Sequence, residues 1–351
     1  MPADQRITRA RVPLRLGLAG GGTDLSPYCD EFGGAVLNTT IDRYAYAFIE
    51  PSDDGMVHFL APDMEMEERF PPNMAALEQA RLVLHAGVVR RMVRQFGRGR
   101  LSPMRVTSYV DAPPGSGLGS SSALVVALVE AFTSRLGAPL GPYDVAHVAY
   151  EIERIELCLA GGKQDQYAAT FGGTNFIEFH GGDRVIVNPL RVAPAVLNEL
   201  ETSLVICFTG VSRRSEAIIV EQQRGMAAAT GAAGDPAVLE SLHQLKHDAV
   251  EMKEALLRGE IARMASILNR SWEAKKRTAS GISTGRIEEM YTLAFAHGAI
   301  GGKVSGAGGG GFMMFLVPPG KRIDVVRALN AAGGQASGVH LTTQGAESWS
   351  V

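Results

Sequence analysis

The spacing of apolar residues along the 351-residue chain predicts a mixture of strands and helices. Short apolar or alternating runs predict strands over residues 6–19, 35–38, 44–49, 56–60, 106–110, 175–179, 184–187, 204–208 and 312–317. Longer stretches with apolar residues at helical spacing predict helices over residues 75–96, 142–159, 238–258, 260–277, 284–297 and 321–332. A change in composition near residues 188–200 predicts a boundary between two domains, 1–195 and 196–351.

One further helix is predicted in the stretch Pro113–Phe132, where three glycines and three serines precede an apolar run (PPGSGLGSSSALVVALVEAF). The helix begins at the serines, and Gly137 is well placed to end it. Glycines let a backbone turn its N–H groups towards an anion, and a helix N-terminus directly after them adds unpaired N–H groups and the positive end of the helix dipole. The stretch is therefore typical of a polyphosphate-binding loop, although a glycine-rich turn with Ser120 or Ser121 as an ordinary N-cap has the same pattern.

Two common phosphate-binding motifs do not match this stretch. A Walker A loop has the pattern G-x-x-x-x-G-K-[ST], and no lysine follows these glycines. A dinucleotide-binding loop has glycine where Ser120 stands and an acidic residue about 20 positions later, which here falls in the loop Leu136–Leu140 without a carboxylate. A nucleotide bound at this loop is therefore held by neither of the two common folds.

Composition and charge exclude several classes of protein. A formal net charge of −3 argues against a nucleic-acid partner, and no apolar run reaches the roughly 18 residues that span a bilayer, so no membrane partner is expected. The arginine-rich N-terminus contains no sustained apolar segment, so it is not expected to be a signal peptide. Three widely spaced cysteines without metal-ligand spacing predict buried, reduced thiols in a cytoplasmic protein: Cys29, Cys158 and Cys207.

Two carboxylates lie on an unusual face of the predicted helix 142–159. Beside the apolar stripe of this helix, Ala146 and Ala149 share a face with Glu153 and Glu156. Small residues allow a close approach and carboxylates attract a cation, so this face is predicted to pass near a backbone or a positive charge. Either glutamate is a candidate for that contact.

Three glycine-rich stretches near residues 20, 115 and 308 each border a strand or a helix. The first ends the segment 11–24, the second is the loop described above, and the third is VSGAGG at 304–309. In this order, and with GGAVL at 33–37 after the first, they resemble the motifs of the GHMP kinases, the family of galactokinase, homoserine, mevalonate and phosphomevalonate kinases. The resemblance covers about residues 10–317. It implies an α+β (α/β) chain with the two-domain GHMP kinase fold, in which an ATP-binding N-terminal domain like domain 2 of ribosomal protein S5 precedes a ferredoxin-like C-terminal domain.

The resemblance also implies roles for individual residues in phosphoryl transfer from ATP. Asp165 matches the aspartate that accepts or orients the proton of the attacking hydroxyl, and Arg15 matches the basic residue that pairs with it. Ser121 and Glu153 match the ligands of Mg²⁺, with Glu156 as the alternative to Glu153. The residues implied to bind the nucleotide are Pro114, Gly115, Ser116, Gly117, Leu118, Gly119, Ser120, Ser121 and Ser122.

Within the family, the segments 16–34, 38–47 and 161–179 look most like sugar kinases that phosphorylate the anomeric hydroxyl of D-glycero-D-manno-heptose 7-phosphate, on the route to GDP-heptose and surface glycans. The residues implied to bind such a sugar are Gly21, Gly22, Thr23, Asp24, Lys163, Gln164, Gly308 and Arg213. A phosphorylated sugar requires a second anion site, and the candidates for it are Arg213, Arg214, Lys163 and Arg43.

Two alternatives to this substrate stay open at the level of the sequence. One is another sugar 1-kinase of the family, acting on fucose or a related hexose. The other is a protein of the same fold that binds ATP and a sugar but senses rather than catalyses. The oligomeric state cannot be read from the sequence, and a homodimer is left open.

Overall fold

The computed structural model describes residues 7–211, 215–230 and 236–351. These residues form two sheets with helices packed on them. The strands are β1 Thr8–Ala19, β2 Gly34–Pro51, β3 Val57–Ala61, β4 Met66–Phe70, β5 Met104–Val110, β6 Thr174–Phe179, β7 Val185–Pro189, β8 Leu204–Phe208, β9 Gly301–Val304, β10 Phe312–Leu316, β11 Gln335–Ser337 and β12 Glu347–Ser350. The helices are α1 Tyr28–Phe32, α2 Val83–Phe96, α3 Ser120–Leu136, α4 Pro142–Tyr150, α5 Gln164–Phe171, α6 Pro194–Ser203, α7 Ser215–Thr230, α8 Pro236–Arg258, α9 Ile261–Lys276, α10 Gly285–Ala296 and α11 Arg322–Ala331.

The first sheet is built around β2, a strand of 18 residues. β1 runs antiparallel to it along nearly its whole length, and on the other edge β2 pairs with β6 near its start and with β5 near its end. The two strands predicted over 35–38 and 44–49 are therefore one. Because Thr39 and Thr40 between them are buried and hydrogen-bonded to neighbouring segments, these polar residues continue the strand instead of ending it.

Helix α3 packs against β1 and β2 and forms the centre of the first core. Val125, Leu128 and Phe132 are fully buried on it. Gly119 precedes the helix with a φ of 75°, and Gly137 follows it with a φ of 64°, the left-handed conformation that glycine commonly adopts after the last turn of a helix. The predicted start at the serines and the predicted end at Gly137 are both confirmed.

The helix predicted over 142–159 is α-helical only as far as Tyr150. Glu151–Glu156 form a π-helical turn, in which the N–H of Leu157 donates to the carbonyl of Ile152 at 3.0 Å, five residues back. A π-helical turn holds more residues than an α-helical one, so the residues after Tyr150 share faces that the 3.6-residue period does not predict. The consequence for the two glutamates is described with the site.

The second sheet has the strand order β11-β8-β10-β9, with antiparallel neighbours throughout. Along the chain, a strand, a group of helices, two strands, a helix and a last strand follow one another, which is the ferredoxin-like arrangement. Helices α9, α10 and α11 pack on this sheet around a core that includes Trp272, Met290, Phe315 and Leu329. The ferredoxin-like second part is therefore as expected.

The two parts of the chain are packed together rather than merely linked. Ala249 and Met252 of α8 belong to the same buried cluster as Leu16 of β1. The last strand, β12, returns to the first sheet and pairs with β1, where Arg11 and Glu347 form an ion pair at 2.7 Å. The division of the chain at residues 195 and 196 stays a prediction, and the C-terminal residues lie with the first sheet.

Candidate active site

The glycine-rich loop after β5 turns its carbonyl groups towards the protein. Gly115, Gly117 and Gly119 have φ angles of 71°, 80° and 75°, which glycine adopts without strain. The carbonyl of Gly117 accepts a hydrogen bond from Arg15 Nη1 at 2.7 Å, and the carbonyl of Leu118 accepts one from the backbone N–H of Arg15 at 3.0 Å. Across a planar trans peptide the N–H points opposite to the C=O, so the N–H groups of Leu118 and Gly119 face away from Arg15.

A cavity of about 320 Å³, called the larger cavity below, lies against this loop and the start of α3. No side chain caps α3 among the described residues, so its first N–H groups and the positive end of its dipole remain available to an anion. Ser116 and Leu118 are buried beneath the loop, and Pro114 does not line the cavity. The predicted nucleotide-binding residues that do line it are Gly115, Gly117, Gly119, Ser120, Ser121 and Ser122.

The third glycine-rich stretch packs directly on this loop. Ser305 Oγ donates to the carbonyl of Gly117 at 3.0 Å, and a Cβ added to Gly306 would lie 2.7 Å from the Cα of Gly117. Only a residue without a side chain allows the two backbones to approach so closely. The contact brings Gly306 and Ala307 into the wall of the larger cavity.

Ser121 and Glu153 meet in the wall of the larger cavity. Ser121 Oγ donates to Glu153 Oε1 at 2.8 Å, and Gln166 Nε2 donates to Glu153 Oε2 at 2.7 Å. Glu153 is 1% exposed. Glu156, which an α-helix would place on the same face, is turned outward by the π-helical turn and pairs with Arg91. A carboxylate and a hydroxyl beside a phosphate-binding loop fit a hard cation such as Mg²⁺, which takes its remaining ligands from phosphates and water.

Arg15 and Asp165 form an ion pair beside the phosphate-binding loop. Arg15 Nη2 and Nε lie 2.6 and 2.8 Å from Asp165 Oδ1, and the Arg15 side chain is 4% exposed. Both contacts use the same carboxylate oxygen, and within the described part of the chain Asp165 Oδ2 accepts no hydrogen bond. A Cβ on Gly119 would lie 3.3 Å from the Cγ of Asp165, so the loop rests directly against the pair.

A second cavity of about 70 Å³, called the smaller cavity below, adjoins the first. The two cavities share a wall made of Arg15, Arg154, Asp165, Ile219, Gly306 and Ala307. The smaller cavity is lined in addition by Gly22, Asp24, Leu25, Gly161, Gly162, Gln164, Gln222 and Lys275. Asp165 therefore lies between the two cavities, where it can contact a ligand bound in either one.

Asp24 is held in the smaller cavity by neutral donors. Its Oδ1 accepts hydrogen bonds from Gln164 Nε2 at 2.8 Å and from the N–H of Gly22 at 3.2 Å, and its Oδ2 accepts one from the N–H of Gln164 at 3.1 Å. Burial raises the pKa of Asp24, and the negative charge of Asp165 raises it further. Thr23, by contrast, is fully buried, and its hydroxyl contacts backbone carbonyls at 2.8 and 2.9 Å, so it shapes the loop and does not reach the cavity.

Comparisons with known proteins establish the family to which the chain belongs. The family model described as GHMP kinases N terminal domain matches residues 82–173, and the one described as GHMP kinases C terminal matches residues 252–335. The chain is also 43% identical over 346 residues to the D-glycero-alpha-D-manno-heptose 7-phosphate kinase of Campylobacter jejuni, an alignment that covers 99% of this chain and 100% of the relative. This chain belongs to the GHMP kinase family.

Two solved structures resemble this GHMP kinase along almost its entire length. A D-glycero-D-manno-heptose 1-phosphate kinase from Bacteroides thetaiotaomicron is 39% identical, with a TM-score of 0.81 over 98% of this chain and 99% of that one. A putative sugar kinase from Campylobacter jejuni is 41% identical, with a TM-score of 0.80 over 98% of both chains. The two-domain fold and the enzyme class expected from the motifs are confirmed: the protein is an ATP-using phosphotransferase with an alcohol group as acceptor.

Several residues expected at the sugar site of this kinase lie elsewhere. Lys163 points away from both cavities, because the Nζ of this buried side chain contacts two solvent-exposed carboxylates, Asp183 at 2.7 Å and Asp30 at 3.7 Å. Gly308 packs against the backbone of Ile282 and lines neither cavity. Arg43 lines a separate cavity, and Arg213 and Arg214 lie outside the described residues. Of the predicted sugar-binding residues, Gly22, Asp24 and Gln164 line the smaller cavity, and Gly21 lies beside Gln164.

The sequence pattern did not point to three polar residues that line the smaller cavity of the kinase. They are Arg154, Gln222 and Lys275. The sequence does contain an indication for Lys275, because this residue follows Leu268 and Ser271 at helical spacing and therefore places a charge on the buried face of α9. Gln222 lies on α7, a helix that the pattern did not predict, and Arg154 reaches the cavity from the π-helical turn.

Proposed function

We propose that this chain is an ATP-dependent sugar 1-kinase that phosphorylates the anomeric hydroxyl of D-glycero-D-manno-heptose 7-phosphate and yields the 1,7-bisphosphate. The full-length relative at 43% identity supports this substrate. The observation that carries the reaction type is the position of Asp165, paired with Arg15, in the wall between the two cavities.

The larger cavity suits the phosphates of ATP and the smaller one suits the reacting end of the sugar. Loop N–H groups and the N-terminus of α3 bind the phosphates, and Asp24 accepts hydrogen bonds from sugar hydroxyls. Asp165 Oδ2 takes the proton of the anomeric hydroxyl while the oxygen attacks the γ-phosphorus and ADP leaves. Arg15 neutralises charge on the transferring phosphoryl group and holds Asp165 in place.

The wall of the larger cavity also fits Mg²⁺. We infer that Ser121 Oγ and the carboxylate of Glu153 hold it, since these two oxygen groups are 2.8 Å apart beside the phosphate-binding loop. When bound, the ion neutralises charge on the β- and γ-phosphates. Gln166 fixes the second oxygen of Glu153, which keeps the carboxylate turned towards Ser121.

The variant Glu153→Gln is expected to raise the Mg²⁺ concentration needed for half-maximal activity by about tenfold or more, since it removes the one negative charge of the inferred site. The measurement is the rate of ADP release at fixed ATP as Mg²⁺ is varied. Glu156→Gln is the matched control, because Glu156 lies three residues away and pairs with Arg91 outside the cavity. Equal Mg²⁺ requirements in the two variants would contradict the assignment of Glu153.

The substrate is tested by ADP release with Mg-ATP across a panel of sugars: heptose 7-phosphate, fucose, galactose, mannose and, as a non-sugar, mevalonate. Activity confined to the heptose 7-phosphate, with a new phosphorus signal on the anomeric carbon by ³¹P NMR, is the expected result. Activity on an unphosphorylated sugar would keep the kinase and replace its substrate. ATP binding without turnover of any sugar would favour the sensor.

A cytoplasmic location and a homodimer remain predictions for this enzyme. Among the helices that the structure describes, no segment has both the length and the apolar character required to span a bilayer. Size-exclusion chromatography with light scattering measures the oligomeric state directly.

A further inference from the structure

Lys275 is a buried lysine in the smaller cavity that the proposed reaction has not used. It lies near the end of α9 and is 5% exposed. Among the described residues, its hydrogen bond is to the carbonyl of Gly306 at 2.5 Å, in the third glycine-rich stretch. Burying an ammonium ion with one neutral partner is unfavourable, so its presence at a ligand cavity calls for a role for the charge.

The carboxylates of the smaller cavity are unequally paired. Asp165 contacts a guanidinium at 2.6 Å, whereas Asp24, which is 2% exposed, is held by amide N–H groups that carry no net charge. Two carboxylates in one buried cavity disfavour each other's ionisation unless cations lie nearby. Arg15 pairs with Asp165, and the guanidinium of Arg154, which also lines the cavity, contacts Glu153, Ser122 and the carbonyl of Gly162, so among the described residues no guanidinium pairs with Asp24.

The ammonium group of Lys275 lies on the side of the cavity where Asp24 is held. A Cβ placed on Gly21 would lie 3.7 Å from Lys275 Nζ and 3.9 Å from Gln164 Nε2. That same Gln164 nitrogen donates to Asp24 Oδ1 at 2.8 Å. Lys275 Nζ and the Gln164 amide that holds Asp24 therefore both lie close to Gly21, which has no side chain to separate them.

We propose that Lys275 is a positioning residue of the acceptor site, whose ammonium group supplies the positive charge opposite Asp24 and so keeps Asp24 an acceptor for sugar hydroxyls beside Asp165. The inference rests on the proposed function, because it takes the smaller cavity as the sugar site. It assigns Lys275 a role in sugar binding and none in binding ATP.

Four ionisable groups interact electrostatically with Lys275: Asp24 from the loop after β1, Asp165 from α5, Arg15 from β1 and Lys303 from β9, whose own pKa is lowered well below its usual value by burial. Burial lowers the pKa of Lys275 to about 8, the positive charge of Arg15 lowers it too, and the two carboxylates oppose the decrease. Lys275 is thus charged below about pH 8 and loses its proton as the pH rises through that value. Its contribution to sugar binding is present at neutral pH and is lost in alkaline solution.

The variant Lys275→Met is expected to raise the KM for the sugar by about 30-fold, with the KM for ATP within about threefold of the wild-type value. Methionine fills nearly the same space, and the gain from no longer burying an ammonium offsets the lost hydrogen bond to the carbonyl of Gly306, so the melting temperature is expected to stay within a few degrees of the wild-type value. Lys275→Arg keeps the charge and is expected to retain a sugar KM within about fivefold of wild type. The matched control is Lys276→Met, since the next lysine on α9 pairs with Glu273 and Glu288 outside the cavities.

The pH dependence of kcat/KM for the sugar shows whether Lys275 acts through its charge or through packing. For the wild-type enzyme, kcat/KM for the sugar is expected to fall above about pH 8. Bound ATP that favours the charged amine moves this fall to a somewhat higher pH. The variant Lys275→Arg is expected to shift this alkaline limb beyond the measured range, because a guanidinium stays protonated there. An unshifted limb in the arginine variant, or equal losses of ATP and sugar affinity with a lower melting temperature in Lys275→Met, would overturn the proposal.

The order of the assays separates the test of Lys275 from the test of the substrate. The wild-type enzyme is assayed first on the sugar panel, and all Lys275 and Lys276 variants are then assayed with whichever sugar it accepts. Acceptance of another sugar corrects the proposed substrate and leaves the Lys275 comparison valid. A Lys275→Met enzyme with the wild-type sugar KM and the wild-type pH profile refutes the role of Lys275 whatever the sugar is.

Discussion

Replacing Asp165 with asparagine is expected to lower kcat by about 1,000-fold while the KM for ATP stays within about threefold of wild type. Asparagine has the same size, but it neither accepts the proton of the anomeric hydroxyl nor carries the charge that pairs with Arg15. The predicted phosphate-binding loop is held by hydrogen bonds from Arg15 to the carbonyl groups of Gly117 and Leu118, which do not involve the substituted carboxylate. Steady-state ADP release gives kcat, and titration calorimetry gives the affinity for ATP.

The control for this variant is Asp183→Asn, the same chemical change in an aspartate that pairs with Lys163 outside both cavities. It is expected to turn over at nearly the wild-type rate. If Asp165→Asn does the same, Asp165 has no part in the reaction. A fall of only about tenfold with an unchanged pH profile would identify Asp165 as a group that orients the hydroxyl and not as its base.

The variant Arg15→Met is expected to lower the free energy of unfolding by about 3 kcal/mol and kcat by at least about 100-fold. Arg15 is 3% exposed and joins three separate segments, since it contacts Asp165, the carbonyl of Gly117 and, at 3.4 Å, Ser305 Oγ. Its removal leaves the carboxylate of Asp165 without its cationic partner in a mostly buried site, and among the described residues the carbonyl of Gly117 keeps only the hydrogen bond from Ser305 Oγ. Urea unfolding followed by circular dichroism gives the change in stability.

Arg11→Met provides the matched comparison on the same strand. Arg11 pairs with Glu347 at 2.7 Å, but both side chains are 40% exposed, and ion pairs in such a setting contribute less than about 1 kcal/mol. Wild-type turnover and a small stability change are expected for this control. Equal losses of stability in the two variants would show that the buried pair of Arg15 contributes no more than the exposed one.

Much of the fold could be predicted from residue types that lie close together in the sequence. Helix α3 begins at Ser120 and ends before Gly137, as its glycines and serines indicated, because helix ends are determined by the few residues around them. The strand β8 over Leu204–Phe208 was predicted in the same way, from a continuous apolar run. By contrast, β12 contains four residues with no clear alternation and is a strand because β1 pairs with it.

The same distinction applies to the site. The glycine-rich loops, Ser121, Asp165 and Arg15 were recognisable from spacing and from the family's motifs, and the structure brings the Arg15–Asp165 and Ser121–Glu153 pairs into contact. The choice between Glu153 and Glu156 depended on a π-helical turn, which no residue period reveals. Their roles in catalysis and metal binding stay predictions that the variants above test.

By itself, the sequence determined the family and predicted the phosphate-binding loop and the Arg15–Asp165 pair, since each of these residues lies in a family motif made of residue types at short spacing. Only the tertiary structure decided which charges line the smaller cavity: it turned Lys163 towards Asp183 and brought Lys275 of α9 beside Gly21 and Gln164. The physical reason is that a charge acts over a few ångströms of space, and Lys275 is more than a hundred positions away from both Gly21 and Gln164 in the chain.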